Sequence, residues 1–378
     1  MAALPGRIEI GLVLQGGGAL GAYECGAVSA LLELMDEAEA AGRPVALKAV
    51  TGVSIGAINA ACVVGSTDRA DARQRLDSLW SELLLDAPDF WPSQMQRDLS
   101  LFGLPGFYVP RTDVLRLAHW TSYYDTSQIL DTLARHVDFA ALNRSPTIFA
   151  VTAVDVESGE LKRFCNHPLN GDEPTEIAAV HIKASGSLPP QFPWTVINGR
   201  SYWDGGLVDN TPLGGAIDAF SHGPDIQRVL VVMNLYPLRG RRPRNIPDVE
   251  DRLHELAFGN HLRQDRETTR LVNDLIETIE GLAALVPQEA MPPDLQARVD
   301  RARIFKVIHI VDIDVQDPNA AVKVARQDRS DDSSGLRDFS PPTVRRRREV
   351  GYRIARERLE PLFASHGVPV SPLAQRAS

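Results

Sequence analysis

A serine held between two glycines follows a short apolar segment near the start of the chain. Residues 51 to 60 read Thr-Gly-Val-Ser-Ile-Gly-Ala-Ile-Asn-Ala, in which Gly52, Ser54 and Gly56 form a Gly-x-Ser-x-Gly pattern. The pattern is typical of a tight strand-to-helix turn that exposes the serine hydroxyl, and glycines suit it because side chains would collide with neighbouring backbone. It predicts acyl transfer with Ser54 as the nucleophile.

A glycine-rich turn about forty residues earlier could stabilise the charge that such a reaction develops. The turn lies between an apolar segment and a helical pattern, so that several backbone N–H groups converge at a helix N-terminus and bind an anion. Preorganised donors of this kind are worth about 3 kcal/mol each to a tetrahedral oxyanion. The predicted oxyanion residues are Gly16, Gly17, Gly18, Ala19 and Gly21.

The same turn also satisfies a dinucleotide-binding pattern. Gly16, Gly18 and Gly21 match Gly-x-Gly-x-x-Gly, which makes a nucleotide-dependent oxidoreductase an alternative function. That fingerprint expects an acidic residue at the end of the second strand to hold the ribose, and this strand ends in Thr51-Gly52. The missing acid disfavours the oxidoreductase.

Ser54 needs a base, and the strongest candidate is Asp204. It stands in Asp204-Gly205-Gly206, where a carboxylate beside two glycines could accept the serine proton. Asp-Gly is also a common turn dipeptide, so the same residues fit an ordinary turn. Histidines follow Ser54 as well, but none is marked out by a glycine-rich or loop context: His222, His254, His261 and His309.

The elements that must position these residues alternate between strands and helices, the pattern of an α/β fold with a mainly parallel sheet. Strands are predicted at residues 8–14, 45–51, 147–155, 160–166, 228–235 and 304–313. Helices are predicted at residues 22–41, 55–64, 71–85, 249–286 and 343–362. The Pro/Arg-rich segment 239–247 predicts a boundary between a catalytic domain, 1–240, and a C-terminal extension packed on it, 241–378.

Two further segments each have two interpretations. Residues 86–112 combine proline, glycine and aromatic residues, which predicts either a loop packed on the body or a hydrophobic lip that admits acyl chains. The arginine run 345–348 is typical of a solvated helix face and also fits contact with anionic lipid headgroups.

Composition excludes several classes of protein. The chain has 378 residues, 44% of them hydrophobic, which is enough for a large core. Its net charge of −9 argues against a nucleic-acid partner. The spacing of Cys25, Cys62 and Cys165 predicts neither a disulfide framework nor a metal site, and Cys25 and Cys62 are expected to be buried thiols. Without a signal peptide or a long apolar span, a cytoplasmic chain is expected.

Four motifs in order resemble the patatin-like phospholipase family. They are the turn at residues 16–21, the elbow at 52–56, a stretch at 183–193 that reads Lys-Ala-Ser-Gly-Ser-Leu-Pro-Pro-Gln-Phe-Pro, and Asp204-Gly205-Gly206 followed by Asn210 and Pro212. The resemblance implies a three-layer α/β/α fold. It also implies hydrolysis of lipid esters by a Ser54–Asp204 dyad without histidine, metal or cofactor.

One residue departs from the family pattern. Many relatives carry arginine where this chain has Leu20, so the resemblance predicts a site without that positive charge. Neutral lipids, short acyl esters or a stored polyester are then favoured over anionic phospholipids. The expected function is an esterase at a membrane or granule surface, and the alternative is a scaffold of the same fold that binds lipid without catalysis.

Overall fold

The fold is organised around one mixed β-sheet. The computed structural model describes residues 7–85, 91, 95, 99–223, 225–236, 242–243, 246–286, 291–302, 307–314 and 336–369. The strands are β1 (Arg7–Leu14), β2 (Val45–Gly52), β3 (Val109–Pro110), β4 (Tyr124–Asp125), β5 (Ile148–Asp155), β6 (Leu161–Cys165), β7 (Thr195–Ile197), β8 (Arg200–Asp204), β9 (Ile226–Asn234) and β10 (His309–Asp314).

The main sheet has the order β10-β9-β1-β2-β5-β8-β7, and β6 pairs with β5. The pairs from β10 across to β5 are parallel, whereas β5–β6, β5–β8 and β7–β8 are antiparallel. β3 and β4 form a separate two-stranded ribbon. The expected mainly parallel sheet is therefore confirmed.

Helices cover both faces of the sheet. They are α1 (Gly21–Ala40), α2 (Ile55–Val64), α3 (Arg69–Glu82), α4 (Ile129–His136), α5 (Phe139–Arg144), α6 (Ala179–Ser185), α7 (Leu213–Ala219), α8 (Ile246–Ala284), α9 (Pro293–Ala302) and α10 (Pro341–Ser365). Short 3₁₀ turns lie at Gly18–Leu20, Leu99–Phe102, Val114–His119 and Gly205–Leu207.

Alternation along the central strands separates two cores. On β1, Ile10, Leu12 and Leu14 pack into the larger core with α1 and α2, whereas Val13 packs into a second core with Leu213 of α7. Successive side chains of a strand point to opposite faces of the sheet, so a strand that is apolar at nearly every position must be covered on both sides. This confirms the three-layer α/β/α fold.

The C-terminal extension contributes a strand to the sheet and a helix to one of the layers that cover it. β10 extends the main sheet beyond β9, and α10 packs along α1. The two helices cross at a pair of glycines: a side chain at Gly26 would lie 1.8 Å from the Arg348 carbonyl oxygen, and one at Gly351 would lie 2.0 Å from that of Tyr23. Only glycine permits so close an approach of two helix backbones.

Most predicted elements lie within a few residues of the observed ones, and the differences have local causes. α3 begins two residues earlier than predicted, because the Asp68 carboxylate accepts the Asp71 N–H and caps the helix. β10 begins at His309 because Asn273 of α8 holds both backbone groups of Ile308. Residues 304–306 and most of the predicted boundary at 239–247 lie outside the described ranges.

Cys25 and Cys62 are buried free thiols, as predicted, and so is Cys165. Within the described ranges, no helix has the length and apolar character needed to cross a membrane.

Candidate active site

The ends of three strands bring the predicted residues to one edge of the sheet. β1 and β2 are parallel, so the glycine turn that follows β1 and the elbow that follows β2 lie side by side. Along β5, Val151 lies opposite Gly52, and Ala153, two residues further, lies opposite Asp204. Asp204 at the end of β8 is therefore level with Ser54.

Ser54 occupies a strained backbone position between β2 and α2. Its φ of 54° and ψ of −124° lie outside the regions that side-chain-bearing residues favour. A side chain at Gly52 would lie 2.5 Å from the Gly56 carbonyl oxygen, and one at Gly56 would lie 2.5 Å from that of Leu14. Both glycines predicted for this elbow are thus sterically required, and the turn leaves the Ser54 hydroxyl at the wall of a cavity.

Ser54 and Asp204 line the same cavity, and the Ser54 hydroxyl lies close enough to the Asp204 carboxylate to lower its pKa. Asp204 is 3% exposed, and its Oδ1 accepts the Gly206 N–H at 2.8 Å. Burial raises the pKa of Asp204 to about 7, and the Gly206 N–H and the Ser54 hydroxyl oppose that rise. A carboxylate with this pKa is a far stronger base than an ordinary aspartate near neutral pH.

The N–H groups of the glycine turn fall into two sets. Three of these N–H groups already donate hydrogen bonds within the protein. The Gly16 N–H donates to Asn210 Oδ1 at 3.1 Å, and the Ala19 N–H donates to the Leu336 carbonyl at 2.9 Å. The Gly21 N–H donates to carbonyl groups of the turn itself. The backbone hydrogen bonds of the described residues include none from Gly17 or Gly18, and both line the cavity.

Three side chains to which the sequence assigned no role of their own support this arrangement. Asn210 clamps Gly16, since it accepts the Gly16 N–H and donates to the Gly16 carbonyl at 3.2 Å. Gln15 donates to Thr211 Oγ1 at 2.6 Å and accepts the Leu235 N–H at 2.8 Å.

The third is Ser185, whose hydroxyl accepts the Ser54 N–H at 2.9 Å. The Ser187 carbonyl, two residues further along the chain, accepts the Asp204 N–H at 3.0 Å. Both serines belong to the stretch at 183–193 that was recognised only as a family motif. The residue types carried no signal for these contacts, because serine and asparagine are common in loops of every kind.

The cavity beside Ser54 has a volume of about 100 Å³ and a wall that is mainly aromatic and aliphatic. Tyr108 and Phe192 pack with their ring centroids 5.3 Å apart, and Tyr108 and Tyr124 with theirs 4.9 Å apart. Leu101 also lines the cavity and is 47% exposed, next to Phe102, which is 75% exposed.

The described part of the segment at 86–112 fits both a loop packed on the body and a hydrophobic lip at the cavity. It packs on the body through Phe107 and Tyr108 and also lines the cavity, while residues 86–90, 92–94 and 96–98 lie outside the described ranges. Among the described residues, no cluster of three histidine, cysteine, aspartate or glutamate side chains is placed to hold a metal ion.

Comparison with known proteins gave one family. The model of the Patatin family, described as patatin-like phospholipase, matches residues 12–217, which contain the glycine turn, the elbow and Asp204. No curated protein matches the sequence.

Solved structures that resemble the chain include VipD from Legionella pneumophila, with 14% identity and a TM-score of 0.40 over 96% of this chain and 67% of that one. Another is ExoU in its heterodimeric complex with SpcU, from the type III secretion system of Pseudomonas aeruginosa. It has 16% identity and a TM-score of 0.30 over 96% of this chain and 77% of that one. The family assignment rests on the match at residues 12–217.

Proposed function

Because the chain belongs to the patatin-like phospholipase family, we propose that it hydrolyses carboxylic esters of lipids with Ser54 as nucleophile and Asp204 as general base. The observation that carries the proposal is the position of the Ser54 hydroxyl, in one cavity, beside a buried carboxylate whose pKa is raised to about 7. A nucleophile needs a base within hydrogen-bond reach, and the base is most effective when its pKa lies near the working pH.

In the first half of the reaction, Ser54 Oγ attacks the ester carbonyl carbon while its proton moves to Asp204. The new C–O bond produces a tetrahedral oxyanion. When that intermediate collapses, the bond to the alcohol breaks, and Asp204 returns the proton to the departing alkoxide. Ser54 is left carrying the acyl group, as in other enzymes with a covalent intermediate.

In the second half, a water molecule attacks the acyl carbon and Asp204 takes its proton. Collapse of this second intermediate breaks the bond to Ser54, whose oxygen recovers the proton from Asp204. The fatty acid leaves, and both residues return to their starting states.

The oxyanion site proposed here is narrower than the whole turn. Gly17 and Gly18 are its donors, since the N–H groups of Gly16, Ala19 and Gly21 hold other acceptors. Asn210 acts on this site indirectly, because its two hydrogen bonds fix the peptide that precedes Gly17.

The cavity wall supports an apolar acyl group as the part of the substrate that enters. Aromatic and aliphatic side chains make up most of this wall, and transfer of a hydrocarbon chain from water to such a wall is favourable. The exposed Leu101 and Phe102 beside the cavity fit contact with a lipid surface, the setting in which such substrates are presented.

A fluorophosphonate probe followed by peptide mass spectrometry tests the proposal directly. We expect one labelled residue, Ser54, with labelling and ester turnover both lost in Ser54→Ala. The matched control is Ser81→Ala, which removes an exposed serine of α3 and should leave both unchanged. If the folded wild-type protein takes no label, or Ser54→Ala is labelled equally, the nucleophile is not Ser54.

The same variants separate catalysis from a lipid-binding scaffold. A scaffold would sediment with liposomes and turn over no ester, and Ser54→Ala would bind the liposomes as the wild type does.

A further inference from the structure

A segment of the C-terminal extension enters the candidate active site. It consists of Leu336–Ser340, directly before α10, and we call it the entry segment. The Leu336 carbonyl oxygen accepts the Ala19 N–H at 2.9 Å, and a side chain at Gly18 would lie 2.4 Å from the same oxygen. The backbone of Leu336 is therefore in direct contact with the glycine turn.

The other end of the entry segment is anchored to the body. The Phe339 carbonyl accepts the Leu85 N–H at 3.1 Å, and the Phe339 ring stacks on Trp80 with centroids 6.2 Å apart. Buried Asp338 accepts hydrogen bonds from the hydroxyls of Ser340, at 2.5 Å, and Thr343, at 2.8 Å.

Arg337 lies between these two anchors and lines the cavity together with Ser54. Its charge reaches the aromatic wall: burial raises the pKa of Tyr108 and Tyr124, and the positive charge of Arg337 opposes that rise in both phenols. Arg337 is thus an exposed residue that lines a mainly apolar cavity, and the backbone on each side of it is anchored.

This placement changes the expectation drawn from Leu20. Leu20 is 7% exposed and packs into the main hydrophobic core, whereas Arg337 lies 317 positions further along the chain (337 − 20) and lines the cavity. The glycine turn therefore carries leucine where many relatives have arginine, and a positive charge reaches the same cavity from the extension instead.

We propose that Arg337 is a specificity-determining residue that binds an anionic group of the ester substrate next to the bond that Ser54 attacks. The inference rests on the proposed function and adds the substrate class to it: an acyl ester that carries a phosphate or a carboxylate. A planar guanidinium pairs with either oxyanion through two parallel hydrogen bonds, which neutral esters cannot accept with equal strength.

Matched pairs of short-chain, monomeric substrates test the proposal without a lipid interface. One pair is dihexanoyl phosphatidic acid and dihexanoylglycerol, and the other is a hydroxybutyrate dimer with a free carboxylate and its methyl ester. The measured quantity is the ratio of kcat/KM for the anionic member to that for the neutral member. The first pair reports a phosphate and the second a carboxylate.

In Arg337→Gln the ratio should fall about tenfold in at least one pair, mainly through a higher KM for the anionic ester. Arg337→Lys should restore part of the ratio, since it keeps the charge and loses the planar fork. Arg353→Gln is the matched control, because it removes an exposed arginine of α10 that pairs with Glu349 and should keep the wild-type ratio.

An unchanged ratio in Arg337→Gln with ester turnover retained would overturn the inference and leave the proposed function standing. An equal fall in Arg353→Gln would overturn it too, because the effect would then be one of overall charge. Calorimetric binding of dihexanoyl phosphatidic acid and of the carboxylate dimer to Ser54→Ala, with and without Arg337→Gln, keeps the test independent of turnover. The role of Arg337 would be refuted if neither anion bound to Ser54→Ala. It would also be refuted if each anion bound equally well to Ser54→Ala with and without Arg337→Gln. Both results would count even if no ester were hydrolysed.

Discussion

Replacement of Asp204 by asparagine should make the protein more stable at pH 8 and at the same time inactive. The carboxylate is 3% exposed, and burial is the largest influence on its pKa, which is raised from 3.8 to about 7. Above that pH the folded protein holds a buried negative charge without a cationic partner among the groups that shift its pKa. Asparagine has nearly the same shape, can accept the Gly206 N–H and carries no charge.

The size of the effect follows from proton linkage. The unfolded chain releases the Asp204 proton near pH 3.8 and the folded chain near pH 7, so the wild-type free energy of unfolding falls as the pH rises between these values and is level above them. Each pH unit in that interval corresponds to about 1.4 kcal/mol, and the whole interval to about 4 kcal/mol. Asp204→Asn lacks this term, so its stability relative to the wild type should rise from pH 4 to pH 7.

Urea denaturation of both proteins at several pH values between 4 and 9 measures the difference. Asp131→Asn, which removes an exposed carboxylate on α4, is the control and should differ from the wild type by less than about 0.5 kcal/mol throughout. A difference for Asp204→Asn that is the same at pH 5 and pH 8 would refute the reasoning, because the pKa of Asp204 would then be the same in the folded and unfolded protein.

Other predictions concern activity and packing. Wild-type kcat/KM should rise with an apparent pKa of about 7 as Asp204 loses its proton, and a profile that is flat from pH 5 to 9 would contradict its role as base. Asn210→Ala should lower kcat about tenfold or more, because Gly16 loses both its hydrogen bonds, and steady-state kinetics on the folded variant measure this. Gly351→Ala should lower the free energy of unfolding by about 1–3 kcal/mol, because α1 and α10 must move apart to admit the methyl group. The control Gly281→Ala has open space around it and should raise the free energy of unfolding by about 0.5–1 kcal/mol. Urea denaturation measures both changes.

Much of the fold follows from local pattern. β1 and β2 are apolar at nearly every position and are followed by glycine turns, so their place as central parallel strands could be predicted from the sequence. The shorter strands β7 and β8 and the short helices α4 to α7 were not predicted. Each has too few residues to show a period, and their positions depend on what they pack against.

The contacts that support the site could not be predicted from local pattern. Ser185 and Asn210 lie 131 and 194 positions from Ser54 and Gly16, the residues that they contact. Nothing in a serine or an asparagine marks it for such a contact, and only the folded chain brings the partners within hydrogen-bond distance. The entry segment is a further case, because its backbone carbonyl, rather than any side-chain type, meets the Ala19 N–H.

The sequence by itself determined that Ser54 stands on a tight turn, because that property depends on the steric size of its immediate neighbours, Gly52 and Gly56. The tertiary structure decided how basic the Asp204 carboxylate is and that Arg337 lines the same cavity as Ser54. These properties depend on burial and on charges from remote parts of the chain. Local sequence pattern therefore does not contain them.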